Sequence, residues 1–153
     1  MIEVRCPSPA DTADVAHHLA VAVEAGDVIA LSGQLGSGKT LFTAALADAL
    51  GVEEQVVSPS FVLVRRYESG VMPLIHADVY RLQSINEFDD LDLLADATGA
   101  VVVIEWGEAV LSALPLDHLL VEFDVGPDEV RTVRLLPAGS WRQRDLSRVS
   151  GTT

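Results

Sequence analysis

The amino-acid sequence predicts an α/β fold in which a mainly parallel central sheet carries antiparallel additions. The first observation behind this prediction is the apolar run VIALS, residues 28–32, which a glycine-rich loop and a helical segment follow directly. The second is a pair of β-rich segments, HLLVEFDV and VRTVRLL, on either side of the turn Gly126-Pro127-Asp128. The strand–loop–helix order favours parallel pairing, and the turn favours an antiparallel pair near the carboxyl terminus.

The length and composition predict one domain. The chain has 153 residues and an apolar fraction of 49%, which suffice for a single hydrophobic core. We predict that residues 1–140 form this domain and that residues 141–153, with three arginines, form a solvated and partly disordered tail. No apolar run approaches the ~20 residues that cross a bilayer, and the start lacks the pattern of a secretory signal. We therefore expect a cytoplasmic protein without a membrane partner.

The charge of the chain bears on its partners. The formal net charge is −13, with only ten Lys and Arg residues. Because cationic side chains supply most of the affinity for a phosphate backbone, this composition argues against direct binding of nucleic acid. We expect any role near RNA to depend on a protein partner.

The amino-terminal half predicts two strands and two helices. The segment IEVRC, residues 2–6, is typical of a short strand, and Asp11 or Thr12 is expected to cap a helix over residues 13–25. VIALS predicts a buried strand. A second helix is expected from Lys39 to Leu50, with Gly51 ending it.

The remaining elements follow from apolar runs and turn residues. Residues 61–67 and 74–80 predict a β-hairpin, with Gly70 and Pro73 at its turn. INEFDDLDLLADAT, residues 85–98, predicts one or two short helices. AVVVIEW, residues 100–106, is the most apolar run and predicts a central buried strand, after which GEAVLSAL favours a short helix.

The segment GQLGSGKT, Gly33 to Thr40 and hereafter the phosphate loop, matches G-x-x-x-x-G-K-[ST]. Glycine lets the backbone turn and brings N–H groups close to phosphate oxygens. The helix that follows offers free N–H groups and a favourable dipole to an anion. Lys39 is expected to neutralise charge on the β- and γ-phosphates, and Thr40 to place its hydroxyl on Mg²⁺. This pattern predicts a site for ATP or GTP with Mg²⁺.

Two acids end apolar runs and are candidates to complete the site. Glu105 ends AVVVIE and is the better metal residue, and Asp78 ends LIHAD and is expected to polarise the attacking water or to fix a switch segment. Each has a plainer interpretation, a solvated strand end for Glu105 and a turn or cap for Asp78. His76 lies on the same strand face as Asp78, and we interpret it as a packed residue.

Two features typical of other nucleotide-binding proteins, a guanine-recognition segment and an arginine-rich kinase lid, are not found in the sequence. There is no N-K-x-D segment for guanine recognition, so ATP is favoured over GTP. The central arginines Arg65, Arg66 and Arg81 are not clustered like those of a kinase lid. A small-molecule kinase and a non-hydrolysing, nucleotide-gated binding protein stay open as alternatives to an ATPase.

Four segments together resemble the TsaE (YjeE) family of bacteria: GQLGSGKT, SPSFVLVRRYE, HADVYRL and VVVIEWGE. Their order and spacing agree with that family over about residues 28 to 108. The resemblance implies a P-loop NTPase fold in three layers and an ATPase that supports N6-threonylcarbamoyladenosine modification of adenosine 37 in ANN-decoding tRNAs. It also implies that the enzyme is weak alone and that it acts through the TsaD–TsaB complex, with tRNA contacted only indirectly.

The loop chemistry and the resemblance together assign roles by residue. Lys39 and Asp78 are the expected catalytic residues, and Thr40 and Glu105 the expected Mg²⁺ ligands. Thr12 is expected near the base. The expected nucleotide contacts are Thr12, Gly33, Gly36, Ser37, Gly38, Lys39, Thr40 and Leu41, and the expected switch or interface residues are Ser58, Ser60, Tyr80, Arg81 and Trp106.

The chain departs from the family pattern at three points. Ser60 stands where threonine is usual, Ala77 replaces a common phenylalanine, and Asp92 lies where many members have glycine. The acidic segment 86–96 is a candidate contact for a protein partner, although a solvated face is the favoured explanation.

Overall fold

The structure, a computed structural model, describes residues 1–59, 64–80, 82, 84–90 and 92–150. Its strands form a seven-stranded sheet in the order β1-β7-β6-β2-β5-β4-β3. The strands are β1 (Ile2–Cys6), β2 (Val28–Gly33), β3 (Val64–Tyr67), β4 (Leu74–Asp78), β5 (Val101–Glu105), β6 (His118–Val125) and β7 (Arg131–Ala138). The four neighbours β6, β2, β5 and β4 are parallel. The outer pairs β1–β7, β7–β6 and β4–β3 are antiparallel, which confirms the predicted mixture.

Helices cover both faces of the sheet. Because side chains alternate along a strand, β5 places Val101 and Val103 in the core under α1 and α2, and Val102 and Ile104 in a second core on the other face. The three predicted layers are therefore present in the described residues. The helices are α1 (Pro9–Ala20), α2 (Lys39–Ala49) and α3 (Ile85–Asp90), with 3₁₀ helices at Leu93–Gly99, Gly107–Ala113, Pro127–Glu129 and Gly139–Gln143.

The start of α1 differs from the prediction. The helix begins at Pro9 rather than near residue 13, and it ends at Ala20 rather than 25. Ser8 is the N-cap, because its Oγ accepts the N–H of Asp11 at 3.3 Å while Asp11 Oδ2 accepts the N–H of Ser8 at 2.9 Å. Proline suits the first helical position, where its missing N–H is not needed. Thr12 therefore lies inside the first turn and is buried.

The carboxyl-terminal segment also differs from the prediction. Residues 141–150 do not form a solvated tail, because Trp141, Leu146 and Val149 are buried in the core under α1 and α2. Arg144 anchors the segment through two hydrogen bonds to Asp27, at 2.6 and 2.7 Å. Residues 151–153 lie outside the described residues. In the part of the chain that the structure describes, no helix has the length and apolar character to cross a bilayer.

Parallel pairing brings the carboxyl ends of β2, β5 and β4 to the same edge of the sheet. In the register of the sheet, Glu105 of β5 lies opposite Leu31 of β2 on one side and opposite Asp78 of β4 on the other. The loop from β2 to α2 leaves the sheet at this same edge. The phosphate loop and both candidate acids therefore meet where the strands end, as expected for ligand sites of α/β sheets.

Candidate phosphate-binding site

The phosphate loop has a backbone that only glycine tolerates at two points. Gly38, the N-cap of α2, has φ +112°, and no side chain caps the helix there. A Cβ on Gly33 would lie 2.6 Å from Ser37 Oγ and 2.9 Å from the carbonyl oxygen of Phe123. The loop can therefore wrap closely around an anion, and the first turn of α2 keeps N–H groups available for one.

Lys39 begins α2 and is almost fully buried. Its Nζ donates to the carbonyl oxygens of Gly33 at 2.5 Å and Gln34 at 3.0 Å, and it lies 3.8 Å from the centre of the Trp106 ring. Burial lowers the pKa of Lys39, although the nearby carboxylates of Glu105, Glu108 and Asp78 act in the opposite direction. The ammonium group of Lys39 is thus hydrogen-bonded to backbone carbonyl oxygens of the phosphate loop, and phosphate oxygens are acceptors of the same kind.

Thr40 and Glu105 are in direct contact. Thr40 Oγ1 donates to the carboxylate of Glu105, with its two oxygens at 3.0 and 3.1 Å. Within the described ranges no cluster of three or more His, Cys, Asp or Glu side chains could hold a metal ion. One hydroxyl and one carboxylate suit Mg²⁺, which keeps several waters and shares nucleotide phosphates rather than filling an all-protein cage. The donor set therefore fits the expected ion.

Ser37 provides a further observation that fits a phosphate ligand. Its side chain is fully buried, and its Oγ has no hydrogen-bond partner among the described residues. A buried hydroxyl without a partner is costly in a folded protein. An oxygen-rich ligand seated in the loop would satisfy it.

Asp78 is buried at the end of β4 and lines the cleft above the loop. Its Oδ1 accepts the N–H of Tyr80 at 2.9 Å, so the carboxylate has the turn contact that the plainer interpretation expects. It also lies in register with Glu105 and faces the cleft. The geometry is compatible with both roles considered for this residue.

Trp106 and Tyr80 form an aromatic pair beside Lys39. Their ring centres are 4.6 Å apart, and Trp106 has the left-handed backbone angle φ +62°. Tyr80 is 66% exposed. The pair therefore extends from the stored ammonium of Lys39 to the protein surface.

A cleft of about 610 Å³ joins these groups. This volume is in the usual range for a small-ligand site. Ser60 and Arg81 lie outside the described residues, and Gly33 and Tyr80 are not part of the lining. Of the predicted site residues, the lining includes Thr12, Gly36, Ser37, Gly38, Lys39, Thr40, Leu41, Ser58, Asp78, Glu105 and Trp106.

Arg131 is a lining residue that sequence reasoning missed. Its Nη2 donates to the carbonyl oxygen of Gly36 at 3.0 Å, and its Nη1 donates to that of Glu129 at 2.7 Å. The turn before it places Asp128 and Glu129 in the cleft wall, both with positive φ. No local signal marks this arginine, because its approach to the loop depends on β6 pairing with β2.

Comparison with known proteins yields consistent matches. The family model described as "Threonylcarbamoyl adenosine biosynthesis protein TsaE" matches residues 6–133. The tRNA threonylcarbamoyladenosine biosynthesis protein TsaE of Streptomyces coelicolor is 40% identical over 146 residues, covering 90% of this chain and 99% of the relative. The protein of that name from Bacillus subtilis is 35% identical over 136 residues, covering 89% and 85%. The crystal structure of Bacillus subtilis YdiB superposes with a TM-score of 0.79 at 28% identity, covering 98% of this chain and 93% of that one.

Proposed function

The chain belongs to the TsaE family of threonylcarbamoyl adenosine biosynthesis proteins, and from that premise we propose that it is a P-loop ATPase that binds ATP with Mg²⁺ and hydrolyses it. The observation that carries the proposal is the contact between Thr40 and Glu105 beside the stored ammonium of Lys39. A hydroxyl, a carboxylate and a lysine at a helix N-terminus are the groups that nucleoside triphosphate hydrolysis needs.

Binding relies on the phosphate loop. Backbone N–H groups of residues 36–40 would cradle the phosphates, and the Lys39 ammonium would exchange two carbonyl oxygens for phosphate oxygens. Ser37 Oγ would gain a partner in the same step. Thr12, buried beside Gly38, and Arg131 also line the cleft and are candidates to contact the ribose or base.

The metal contacts follow from the donor set. Thr40 Oγ1 and the Glu105 carboxylate would hold Mg²⁺, directly or through water. When bound, the ion would neutralise charge that develops on the phosphates during transfer. Glu105 lies in place for this role, since its carboxylate accepts the hydroxyl of Thr40.

Hydrolysis would use Asp78 to orient the attacking water. Among the described residues that line the cleft, Lys39 and Arg131 are the cations, and Arg131 donates to the carbonyl oxygen of Gly36. Stabilisation of transition-state charge by cations is worth several orders of magnitude in related chemistry. Few cations in the cleft therefore support slow turnover by the isolated chain and stimulation by a partner.

The partners we propose are TsaD and TsaB, with tRNA contacted only through that complex. The formal net charge of −13 supports an indirect role because it disfavours binding to a phosphate backbone. The exposed Tyr80 is in contact with the half-buried Trp106, which lines the cleft. A partner that binds Tyr80 would therefore contact a group next to the proposed nucleotide.

Single-turnover measurement of phosphate release from labelled ATP tests the proposal, with and without TsaD, TsaB and tRNA. We expect slow release by the chain alone, faster release with the partners, and loss of release in Asp78→Ala with ATP affinity retained. Normal turnover in Asp78→Ala would leave that residue a turn residue only. Transfer of label to a small acceptor would favour a kinase, and no release under any condition would favour a non-hydrolysing, nucleotide-gated binding protein.

A further inference from the structure

His76 is a fully buried side chain that the proposed ATPase does not yet use. It lies in the middle of β4, in register with Val103 of the neighbouring strand. Its Nε2 lies 2.5 Å from Glu105 Oε2. We propose that His76 is a positioning residue that holds the Glu105 carboxylate in the orientation needed for Mg²⁺. This inference rests on the proposed function, because it assigns a role to a ligand of that proposed site.

The contacts of Glu105 explain what His76 adds. Oε2 lies within hydrogen-bond distance of two donors, His76 Nε2 and Thr40 Oγ1, whereas among the described residues Oε1 accepts only the Thr40 hydroxyl, at 3.0 Å. If the Thr40 hydroxyl turns toward a cation, Oε2 is still held by His76 and Oε1 is free to face the ion. Without His76, the carboxylate could rotate about its last bond and lose that orientation.

The surroundings of His76 argue against a purely space-filling role. The core on this face of the sheet is apolar around it, with Leu74, Val101 and Val103 on the same and the neighbouring strand. Nδ1 is buried without a hydrogen-bond partner among the described residues. An apolar residue would fill the space without that cost. The contact with Glu105 is the compensating interaction that the structure contains, and it requires the ring proton to be on Nε2.

Three substitutions separate orientation from packing. His76→Gln places an amide donor near the former Nε2, His76→Asn is too short to reach Glu105, and His76→Leu fills the core without any donor. The readout is the ratio of ADP affinities with Mg²⁺ and with EDTA, measured by titration calorimetry on folded protein. Glu105→Ala defines the ratio that remains when the carboxylate is absent.

We expect His76→Leu and His76→Asn to lower the Mg²⁺-dependent ratio about 10- to 100-fold, the usual cost of losing a partner of a metal ligand. His76→Gln should restore most of it, and ADP affinity in EDTA should stay at the wild-type value in all three. If the leucine variant does not fold, the comparison of asparagine with glutamine carries the test. A wild-type ratio in the leucine and asparagine variants, or an equal loss in the glutamine variant, would overturn the positioning role while leaving the proposed function intact.

The reference variant separates the two possible failures. If Glu105→Ala itself keeps the wild-type ratio, the metal role in the proposed function is wrong and the inference for His76 is wrong with it. A measurement on the unmodified chain adds an independent check. In ¹⁵N-labelled protein, the imidazole of His76 should carry its proton on Nε2 and its signal should shift when Mg²⁺ and ADP are added; a ring with the proton on Nδ1 alone would contradict the proposal.

Discussion

Both ends of β2 lie next to a buried charged side chain, but the hydrogen-bond partners of these two side chains differ in kind. At the amino-terminal end, Asp27 accepts the N–H of Glu24 at 2.6 Å and hydrogen bonds from Nη1 and Nη2 of Arg144. The guanidinium of Arg144 also lies over the ring of Trp141. At the carboxyl-terminal end, Lys39 donates hydrogen bonds to backbone carbonyl oxygens of the phosphate loop. Ser37 Oγ has no hydrogen-bond partner in the described part of the chain.

The difference distinguishes an ion pair that stabilises the fold from a cation that, on the proposed function, is available to a ligand. Arg144 and Asp27 satisfy each other in fixed bidentate geometry, so removal of either leaves a buried charge. The groups around the phosphate loop have partners that the phosphates of the proposed nucleotide could replace or supply. We therefore expect substitutions at one end to change stability and substitutions at the other to change binding.

Lys39→Ala should have the largest effect on binding. Two charge-assisted hydrogen bonds to phosphate oxygens would be lost, each worth about 1.5–3 kcal/mol, so ATP affinity should fall about a thousandfold or more. Stability without ligand should not fall, because the ammonium is desolvated in the free protein. Calorimetric titration with ATP measures the first effect and urea unfolding the second. Unchanged affinity would mean that this loop does not bind the nucleotide.

Arg144→Ala should have the largest effect on stability. The variant leaves Asp27 buried and unpaired, at a cost of about 3–5 kcal/mol in the free energy of unfolding. ATP affinity of the folded fraction should stay unchanged. Arg142→Ala, two residues away and exposed, is the matched control and should stay within about 0.5 kcal/mol of wild type. Equal effects of the two substitutions would show that the segment is not anchored by Asp27.

Thr40→Val should have a smaller and more specific effect. Loss of the hydroxyl removes a contact to Glu105 and a proposed Mg²⁺ ligand, so the Mg²⁺-dependent part of ADP affinity should fall about tenfold. Thr43→Val is the control one turn along α2, because its buried hydroxyl donates to the carbonyl oxygen of Lys39, and among the described residues Thr43 is neither a hydrogen-bond partner of Glu105 nor part of the cleft lining. Calorimetry with and without Mg²⁺ measures both variants. Similar losses in both would assign the effect to the helix rather than to the metal.

The smallest expected effect is on pH dependence. Burial lowers the pKa of Lys39 below its ordinary value of 10.5, so the unfolded chain binds this proton more tightly than the folded one. The stability of the ligand-free protein relative to Lys39→Met should therefore rise as pH increases from the lowered pKa toward 10.5. Urea unfolding of both proteins across this range measures it. Parallel curves would mean that Lys39 is as well solvated as in the unfolded chain.

The sequence predicts those features of the candidate site that depend on residues adjacent in the chain. The loop Gly33 to Thr40 and the strand-end acids Asp78 and Glu105 could be found because each is marked by its immediate neighbours. Arg144 was interpreted as solvated, since its partner Asp27 lies 117 residues away. Arg131 was missed for the same reason, because its contact with Gly36 depends on strand order.

Two features differ from the prediction or go beyond it although a local sequence signal for them exists. Ser8 and Asp11 form a capping box that the sequence contains, whereas the prediction places the cap at Asp11 or Thr12. His76 was interpreted as packed, which its burial supports, while its contact with Glu105 required the pairing of β4 with β5. Its place two residues before Asp78 was the one local signal for a link to the site.

Thermal unfolding with and without ATP and Mg²⁺ tests most directly whether the two ends of β2 serve separate purposes. Ligand bound only by the folded state raises Tm, so wild-type protein and Arg144→Ala should show the same ligand-induced rise, the latter from a Tm lower by about 10 °C. Lys39→Ala should start at or above the wild-type Tm and show no rise. An equal rise in Lys39→Ala, or no rise in Arg144→Ala, would contradict the account.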